Sequence, residues 1–398
     1  MTHLVLVGVL TTAIGLIAAI LLLPTVSDIL SLARRARGFV GHRKPPAALP
    51  RFVFLVPAHN EELLIGGCLQ SLLALRYSGA HREIVVIADN CTDSTAVIAR
   101  ASGVRCLERR DPVRAGKPYA IAWAISMLEL SEYDAVVIVD ADSLIDPDFA
   151  TGLAASAPIR EKAIQCYNDV SNRSENALTR MAAVFSAMRC RYINEFKTRA
   201  GLNCPLGNGL CIGTSVLQRL GWTAFSISED TELYAILTQN GIRIESAAAA
   251  RIYSQEARSL RQSGSQRKRW TAGNLGVLAR HGGPLLRSAH IGFRQKLDSF
   301  AELTAPAPAV HLGLVLLAGM LTTVTRAPGA LLLVAALFAS LVRPAIFASV
   351  ALRSDPDPKA AIRAFAFFPL YMLWRLGVQV MALAAIGTQT WVRTERHS

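Results

Sequence analysis

The 398-residue sequence has no Cys-x-x-Cys pair, no glycine-rich phosphate loop, no internal repeat and no low-complexity segment, and only 18% of it is charged. Each absence removes a class of protein. The seven cysteines, Cys68, Cys91, Cys106, Cys166, Cys190, Cys204 and Cys211, are odd in number and lack metal-ligand spacing. They read as reduced thiols of a cytosolic domain, not as a disulfide framework or a zinc site. The missing phosphate loop argues against a nucleotidyltransferase. Low charge combined with 52% hydrophobic residues excludes a disordered chain, which would lack apolar surface to offset ordering entropy. Acids are scarce, 29 against 42 Lys+Arg, which leaves a net charge of +13. A mean hydropathy of +0.33 points to membrane segments, beside which a basic surface meets anionic headgroups. The basic residues are scattered, so nucleic acid is not the expected partner.

What is present divides the chain. Leu4 to Leu23 carries no charge, and twenty residues at about 1.5 Å each span roughly 30 Å of hydrocarbon. Arg34, Arg35, Arg37, Arg43 and Lys44 follow. Basic residues after the apolar run, rather than before it, favour an anchor over a cleaved signal and place the next domain in the cytosol. The expected organisation is an N-terminal transmembrane helix over 1–24, a basic, proline-containing linker over 25–50 and a cytosolic α/β domain over 51–282. An interfacial segment over 283–308, about three transmembrane helices over 309–390 and a basic tail over 391–398 complete it. Arg343 and Arg375 interrupt the last two apolar runs; intramembrane charge marks either snorkelling or a polar path.

Within 51–282, Phe52–Val56, Glu83–Ala88 and Ala135–Val139 read as buried strands. Glu61–Leu75, Ser94–Ala101 and Gly116–Leu130 read as helices. Repeated strand–loop–helix units predict a mostly parallel sheet with helices on both faces, and ligands at the carboxyl ends of its strands. Asp89 and Asp140 occupy two such ends.

Six local features carry chemistry. Val56-Pro57-Ala58-His59-Asn60-Glu61-Glu62 joins a strand to a helix, where backbone groups can hold a planar base or a side chain can cap. Asp89-Asn90-Cys91-Thr92-Asp93-Ser94 repeats that layout, with Asp93 and Ser94 as turn and cap residues. Lys117, at a helix start, is unfavourable for the helix dipole and calls for an anion. Asp140-Ala141-Asp142 places two carboxylates at a strand end, where they repel unless a cation or donors intervene. Glu229-Asp230 opens a helix and offers a carboxylate base, preceded by Gly207-Asn208-Gly209, whose glycines permit close backbone approach. Gln266-Arg267-Lys268-Arg269-Trp270 supplies an amide, cations and an indole, as a diphosphate and sugar site or as an interfacial anchor.

In their order and spacing these patterns resemble the membrane-bound family 2 glycosyltransferases of the GT-A fold, the group of the cellulose, chitin-oligosaccharide, hyaluronan and poly-N-acetylglucosamine synthases. The resemblance spans roughly residues 50–275. It implies a nucleotide-sugar donor, with Ala58 and Glu61 at the base, Asp89 on uridine, Lys117 near the nucleotide and Asp140 by the ribose. It further implies Asp142 as ligand of Mg2+ or Mn2+, Asp230 as the base that activates the acceptor, and Glu229, Gln266, Arg269 and Trp270 around diphosphate and acceptor. The expected enzyme is a multi-pass protein of the plasma membrane that inverts at the anomeric carbon and serves cell-envelope or extracellular polysaccharide synthesis. Its donor is a UDP-sugar carrying a hexose or N-acetylhexosamine, its acceptor a saccharide or a lipid-linked molecule, and its surroundings membrane lipids, with no nucleic acid and no identified export partner. A transporter with a ligand-binding domain is the rival reading, resting on Arg343 and Arg375.

Overall fold

The computed structural model describes residues 2–35, 48–324 and 329–384. Residues 36–47 of the expected linker, the end of the last expected span (from 385) and the basic tail 391–398 lie outside the described residues. The chain opens with α1 (Thr2–Arg35), which continues through Pro24 instead of ending there. The first half of the α/β domain contains β1 (Phe52–Ala58), α2 (Ile65–Leu73), β2 (Arg82–Asp89), α3 (Thr95–Ala101), β3 (Arg105–Arg109), α4 (Lys117–Ser126) and β4 (Ala135–Ile138). The second half contains β5 (Leu144–Ile145), α5 (Phe149–Ala154), β6 (Lys162–Val170) and α6 (Ala177–Ser186), which runs on through a π-helical turn, Ala187–Ile193, into α7 (Asn194–Arg199). It is completed by β7 (Leu210–Gly213), α8 (Thr214–Leu220), α9 (Glu229–Gln239) and β8 (Arg243–Ser254).

The eight strands form one sheet in the order β3-β2-β1-β4-β7-β6-β8-β5. It is mixed but mostly parallel, as expected: four of its seven strand pairings are parallel. The pairs β1–β2, β1–β4, β2–β3 and β6–β8 are parallel, but β7 runs antiparallel to both β4 and β6. The sequence left the direction of β7 open, because that strand follows a long helical excursion, α6 to α7, that fixes no direction of return. Side chains alternate between two layers, as a pleated strand requires. Val53, Leu55, Val85, Ile87, Val136 and Ile138 pack under α4, α8 and α9. Phe52, Phe54, Val56, Ile84, Val86 and Val137 pack under α2, α3 and α5. Burial on both faces explains why these strands read as unbroken apolar runs.

Beyond β8 the chain is helical: α10 (Leu260–Arg287), α11 (Phe293–Thr304), α12 (Pro308–Val324), α13 (Ala330–Ser340), α14 (Val342–Arg353), α15 (Pro358–Ala364) and α16 (Phe368–Leu383). Three helical stretches, Val7–Leu32, Ala330–Arg353 and Pro358–Leu383, are long and apolar enough to cross a membrane, and α11 with α12 form a fourth candidate bent by 84°. Their outer faces carry Leu331, Leu332 and Val380, each more than half exposed, as expected where lipid replaces water. Polar contacts tie this bundle to the α/β domain. Lys197 on α7, 2% exposed, bonds Asp298 at 3.1 Å and Glu302 at 2.7 Å on α11. Ser27 on α1 donates to the other oxygen of Asp298 at 3.0 Å. Asp355, between α14 and α15, receives Arg173 at 3.4 Å and Arg180 at 3.2 Å.

Candidate active site

The site is assembled at the carboxyl ends of β1, β2 and β4. The loops after β1 and β2 are stitched together by short-range polar bonds. Asn60 and Asn90 both adopt left-handed backbone, φ 55° and 51°, a conformation asparagine tolerates better than most residues. Asn60 accepts from the Thr92 amide at 2.8 Å, Asp93 from the Glu62 amide at 3.1 Å, and the Glu61 amide donates to Thr95 Oγ1 at 2.8 Å. Asn60 thus holds the neighbouring loop rather than capping α2. Asp93 forms an Asx turn, accepting from the Thr95 amide at 3.0 Å, while Ser94, at the N-cap position of α3, makes no side-chain cap bond.

Asp89 sits at the tip of β2 with a side chain 5% exposed, and Arg109, 6% exposed, binds its Oδ1 at 2.6 Å. The same guanidinium reaches Asp111 at 2.9 Å and the Arg114 carbonyl at 2.8 Å. The Gly116 amide faces Asp89 Oδ2 at 3.4 Å. Asp89 and Arg109 therefore fix the loop that delivers Lys117 to the start of α4. There the Lys117 ammonium bridges Asp140 at 2.7 Å and Glu229 at 3.0 Å. Burial pulls its pKa down, but the two carboxylates overcome this and hold it above its ordinary value. The anion that a lysine at a helix start calls for is supplied by the chain itself.

Asn208 locks the turn after β4. Its Oδ1 accepts from the Asp140 amide at 3.1 Å, and its Nδ2 donates to Ser143 at 2.7 Å and Ser254 at 3.0 Å. Buried Gln165 holds the Asn208 loop in turn, accepting from the Gly207 amide and donating to the Asn208 carbonyl, both at 2.8 Å. Of the two glycines, only Gly207 faces the cleft: a Cβ there lies 3.9 Å from Asp230 Oδ2. Gly209, at φ +77°, is required by packing, since a Cβ would come within 3.2 Å of Ile252 and Cys166.

Lys117, Ile138, Asn208, Trp222, Glu229 and Asp230 line a narrow cleft that opens to solvent. Asp230, in the first turn of α9, has its pKa raised to about 6 by burial first and by the Glu229 carboxylate second, against the pull of Lys117 and Arg189. A carboxylate tuned this way is half ionised near pH 6 and mostly ionised at neutrality, as a general base requires. Arg189, in the π-helical turn, is held on its other side by Glu302 at 3.0 Å.

α10 packs against the start of α9, beside the cleft. A Cβ at Gly273 would overlap Ser228 Oγ at 2.2 Å, so the helix lies directly on the start of α9. Thr231 donates to Asn274 at 3.0 Å, and Glu232 takes Arg280 at 3.2 Å and His281 at 3.3 Å. Gln266, Arg269 and Trp270 lie at three- and four-residue spacing, on one face of the helix. Burial lowers the pKa of Arg269 and the nearby Glu229 opposes the shift. Trp270 is 40% exposed, and the Arg267 guanidinium stands over its ring at 5.6 Å.

A chain of contacts thus joins Asp89, the Gly116–Lys117 turn, Asp140 and Glu229, with Asp230 next to Glu229 and Arg269 near enough for the Glu229 charge to act on it. Asp142 occupies the turn that Asn208 braces, half-buried. Sequence reasoning missed Arg109, Gln165 and Arg189; each acts through tertiary contact and belongs to no local pattern. No group of three His, Cys, Asp or Glu side chains able to hold a metal is present among the described residues. Asp142 offers a single carboxylate, and Mg2+ and Mn2+ commonly take one or two and complete their shell with phosphate oxygens and water.

Comparison with known proteins identifies the architecture. The family model described as "Glycosyltransferase like family 2" matches residues 50–273. A probable glycosyltransferase of Bacillus subtilis, YdaM, is 29% identical over 243 residues, 58% of this chain and 56% of its own. A beta-monoglucosyldiacylglycerol synthase of Synechocystis is 24% identical over 64% of this chain and 54% of its own. A poly-beta-1,6-N-acetyl-D-glucosamine synthase of Staphylococcus aureus is 26% identical over 58% and 56%. The chain thus spans about half the length of the curated relatives it matches. A mannosyltransferase from Pyrobaculum calidifontis, solved in complex with GDP-Man and Mn2+, shares the fold at a TM-score of 0.58 and 20% identity, over 94% of this chain and 98% of its own. With a GT-A sheet, apolar membrane-type helices and a family match over more than half its length, the chain belongs to the family 2 glycosyltransferases, enzymes that transfer a sugar from a nucleotide-sugar.

Proposed function

We propose that the enzyme moves a hexose or N-acetylhexosamine from a UDP-sugar to the hydroxyl of a saccharide or lipid-linked acceptor, with inversion at the anomeric carbon. The observation that carries this reading is Asp230, tuned to about 6 beside the Lys117 bridge at the rim of the cleft. The nucleobase lies between the loops that follow β1 and β2, with Ala58 and Glu61 on one side and Asp89 at the floor. Asp140, held by Lys117, faces the ribose. Asp142 holds the divalent ion, which when bound neutralises charge on the diphosphate.

Asp230 accepts the proton of the acceptor hydroxyl as its oxygen bonds to the anomeric carbon. The bond from that carbon to the diphosphate breaks, and the nucleoside diphosphate leaves. Glu229 and Arg269 flank the departing diphosphate, and Gln266 and Trp270 face the acceptor. One displacement with one base inverts the centre. The catalytic domain faces the cytosol, and the Arg173–Asp355–Arg180 contact keeps the α14–α15 turn on that same side. With the bent pair counted as a span, the N-terminal end of α1 and the C-terminal end of α16 then lie across the membrane.

The test is Asp230→Asn assayed with labelled donor and membranes. Donor binding is retained and transfer falls by at least about 10²-fold, the lower end for general-base catalysis. Unchanged turnover removes Asp230 from the chemistry. Sizing the labelled product separates single addition from polymer, and chelation followed by Mg2+ or Mn2+ addition tests the ion.

A further inference from the structure

The two intramembrane arginines are in different states. Arg343 on α14 is neutralised by Asp28 of α1 at 2.7 Å. Arg375 on α16 is 5% exposed, yet its Nε and Nη1 have no hydrogen-bond partner and, among the described residues, no carboxylate pairs with it. A buried guanidinium left without an acceptor is strongly unfavourable, and native structures rarely tolerate it. The next turn of structure makes the imbalance larger. α16 packs on α10, where a Cβ at Gly264 would touch Trp374 at 3.8 Å. Arg267, one turn further along α10, is near enough to Arg375 to repel it. Arg267 has partners of its own, Glu256 at 3.3 Å and Ser263 at 3.0 Å; Arg375 has no such partner among the described residues.

We propose that the junction of α10 and α16 binds a phosphate group carried on a lipid, with the Arg375 fork as its principal ligand and Arg267 as the second cation. Guanidinium geometry matches two phosphate oxygens, and the strength of that pairing rises where water is excluded. The apolar faces of α16 and its neighbours accommodate the lipid tail. This deepens the proposed function, on which it rests, by naming the acceptor class: a phosphorylated lipid whose polar end meets the Gln266–Trp270 face of α10.

The experiment is a binding measurement on the full chain in neutral detergent, independent of sugar transfer. The probes are dihexanoyl phosphatidate, dihexanoylglycerol and inorganic phosphate, read by titration calorimetry and by the ligand-induced change in Tm. Phosphatidate is expected to bind and raise Tm, dihexanoylglycerol to do neither, and inorganic phosphate to bind at least about tenfold more weakly for want of the apolar contacts. Arg375→Gln is expected to weaken phosphatidate binding about 10- to 100-fold, the loss of a charge-assisted hydrogen-bond pair. Arg375→Leu is expected to melt no lower than the parent without ligand, because it removes an uncompensated charge, and to lose the phosphatidate shift.

Three results overturn the proposal. One is undiminished phosphatidate binding in Arg375→Gln. Another is inorganic phosphate binding as tightly as phosphatidate, which assigns the site to a free anion. The third is a lower Tm for ligand-free Arg375→Leu, which makes Arg375 a structural residue. A chain that binds phosphatidate through Arg375 but turns over no sugar donor sinks the proposed function and leaves the phosphate site standing.

Discussion

The pH dependence of transfer follows from one side chain. Asp230 is raised to about 6, by burial first and Glu229 second. If it is the base, only its ionised form is active. A group titrating at about 6 is roughly 10% ionised at pH 5 and roughly 90% at pH 7, whereas an ordinary aspartate near 3.9 is already about 90% ionised at pH 5. The value of kcat/KM is therefore expected to rise about ninefold between pH 5 and pH 7, since that parameter reports the free enzyme. The two neighbours move the limb in opposite directions. Glu229→Gln removes a charge that raises the Asp230 pKa and shifts the limb to lower pH; Lys117→Met removes one that lowers it and shifts the limb upward. Stability carries the inverse sign. The folded state binds the Asp230 proton more tightly than the unfolded chain, so its contribution is full below about pH 4 and is lost as pH rises through about 6. Asp230→Asn is consequently expected to melt higher than the parent above that window. Initial rates at saturating metal, with subsaturating donor and acceptor from pH 5 to 8, are the assay. A flat profile between pH 5 and 7 refutes the reasoning.

Two further substitutions test the frame around the base. Arg109→Met leaves the Asp89 carboxylate, 5% exposed, without its partner; breaking a buried pair from one side costs about 3–5 kcal/mol, visible as a lower Tm. Gly273→Ala forces a methyl group into Ser228 Oγ and is expected to lift α10 from α9 and reduce transfer, while adding Ser228→Ala restores part of the loss. Equal activity in the single and double variants rejects that steric account.

The carboxyl-end placement of Asp89 and Asp140 was legible because an apolar run stopping at an aspartate states both the strand and its end. The Asp230 position was legible as the acidic start of a helix. Contacts such as Arg109 with Asp89, Asn208 with the Asp140 amide and Lys117 between two carboxylates had no such signal: their partners lie 20 to 112 residues apart. Local periodicity is blind to pairs of that separation.

The sequence by itself determined the alternation of strands and helices, the apolar segments at both ends and the acidic residues of the cleft. Periodicity and the length of an uncharged run are properties of neighbours along the chain. Tertiary structure alone decided that β7 runs antiparallel to its neighbours, that Lys117 is neutralised internally, and that Arg343 is paired while Arg375, among the described residues, is not. Two arginines in similar apolar runs differ only in what a distant helix brings opposite them, and that depends on packing.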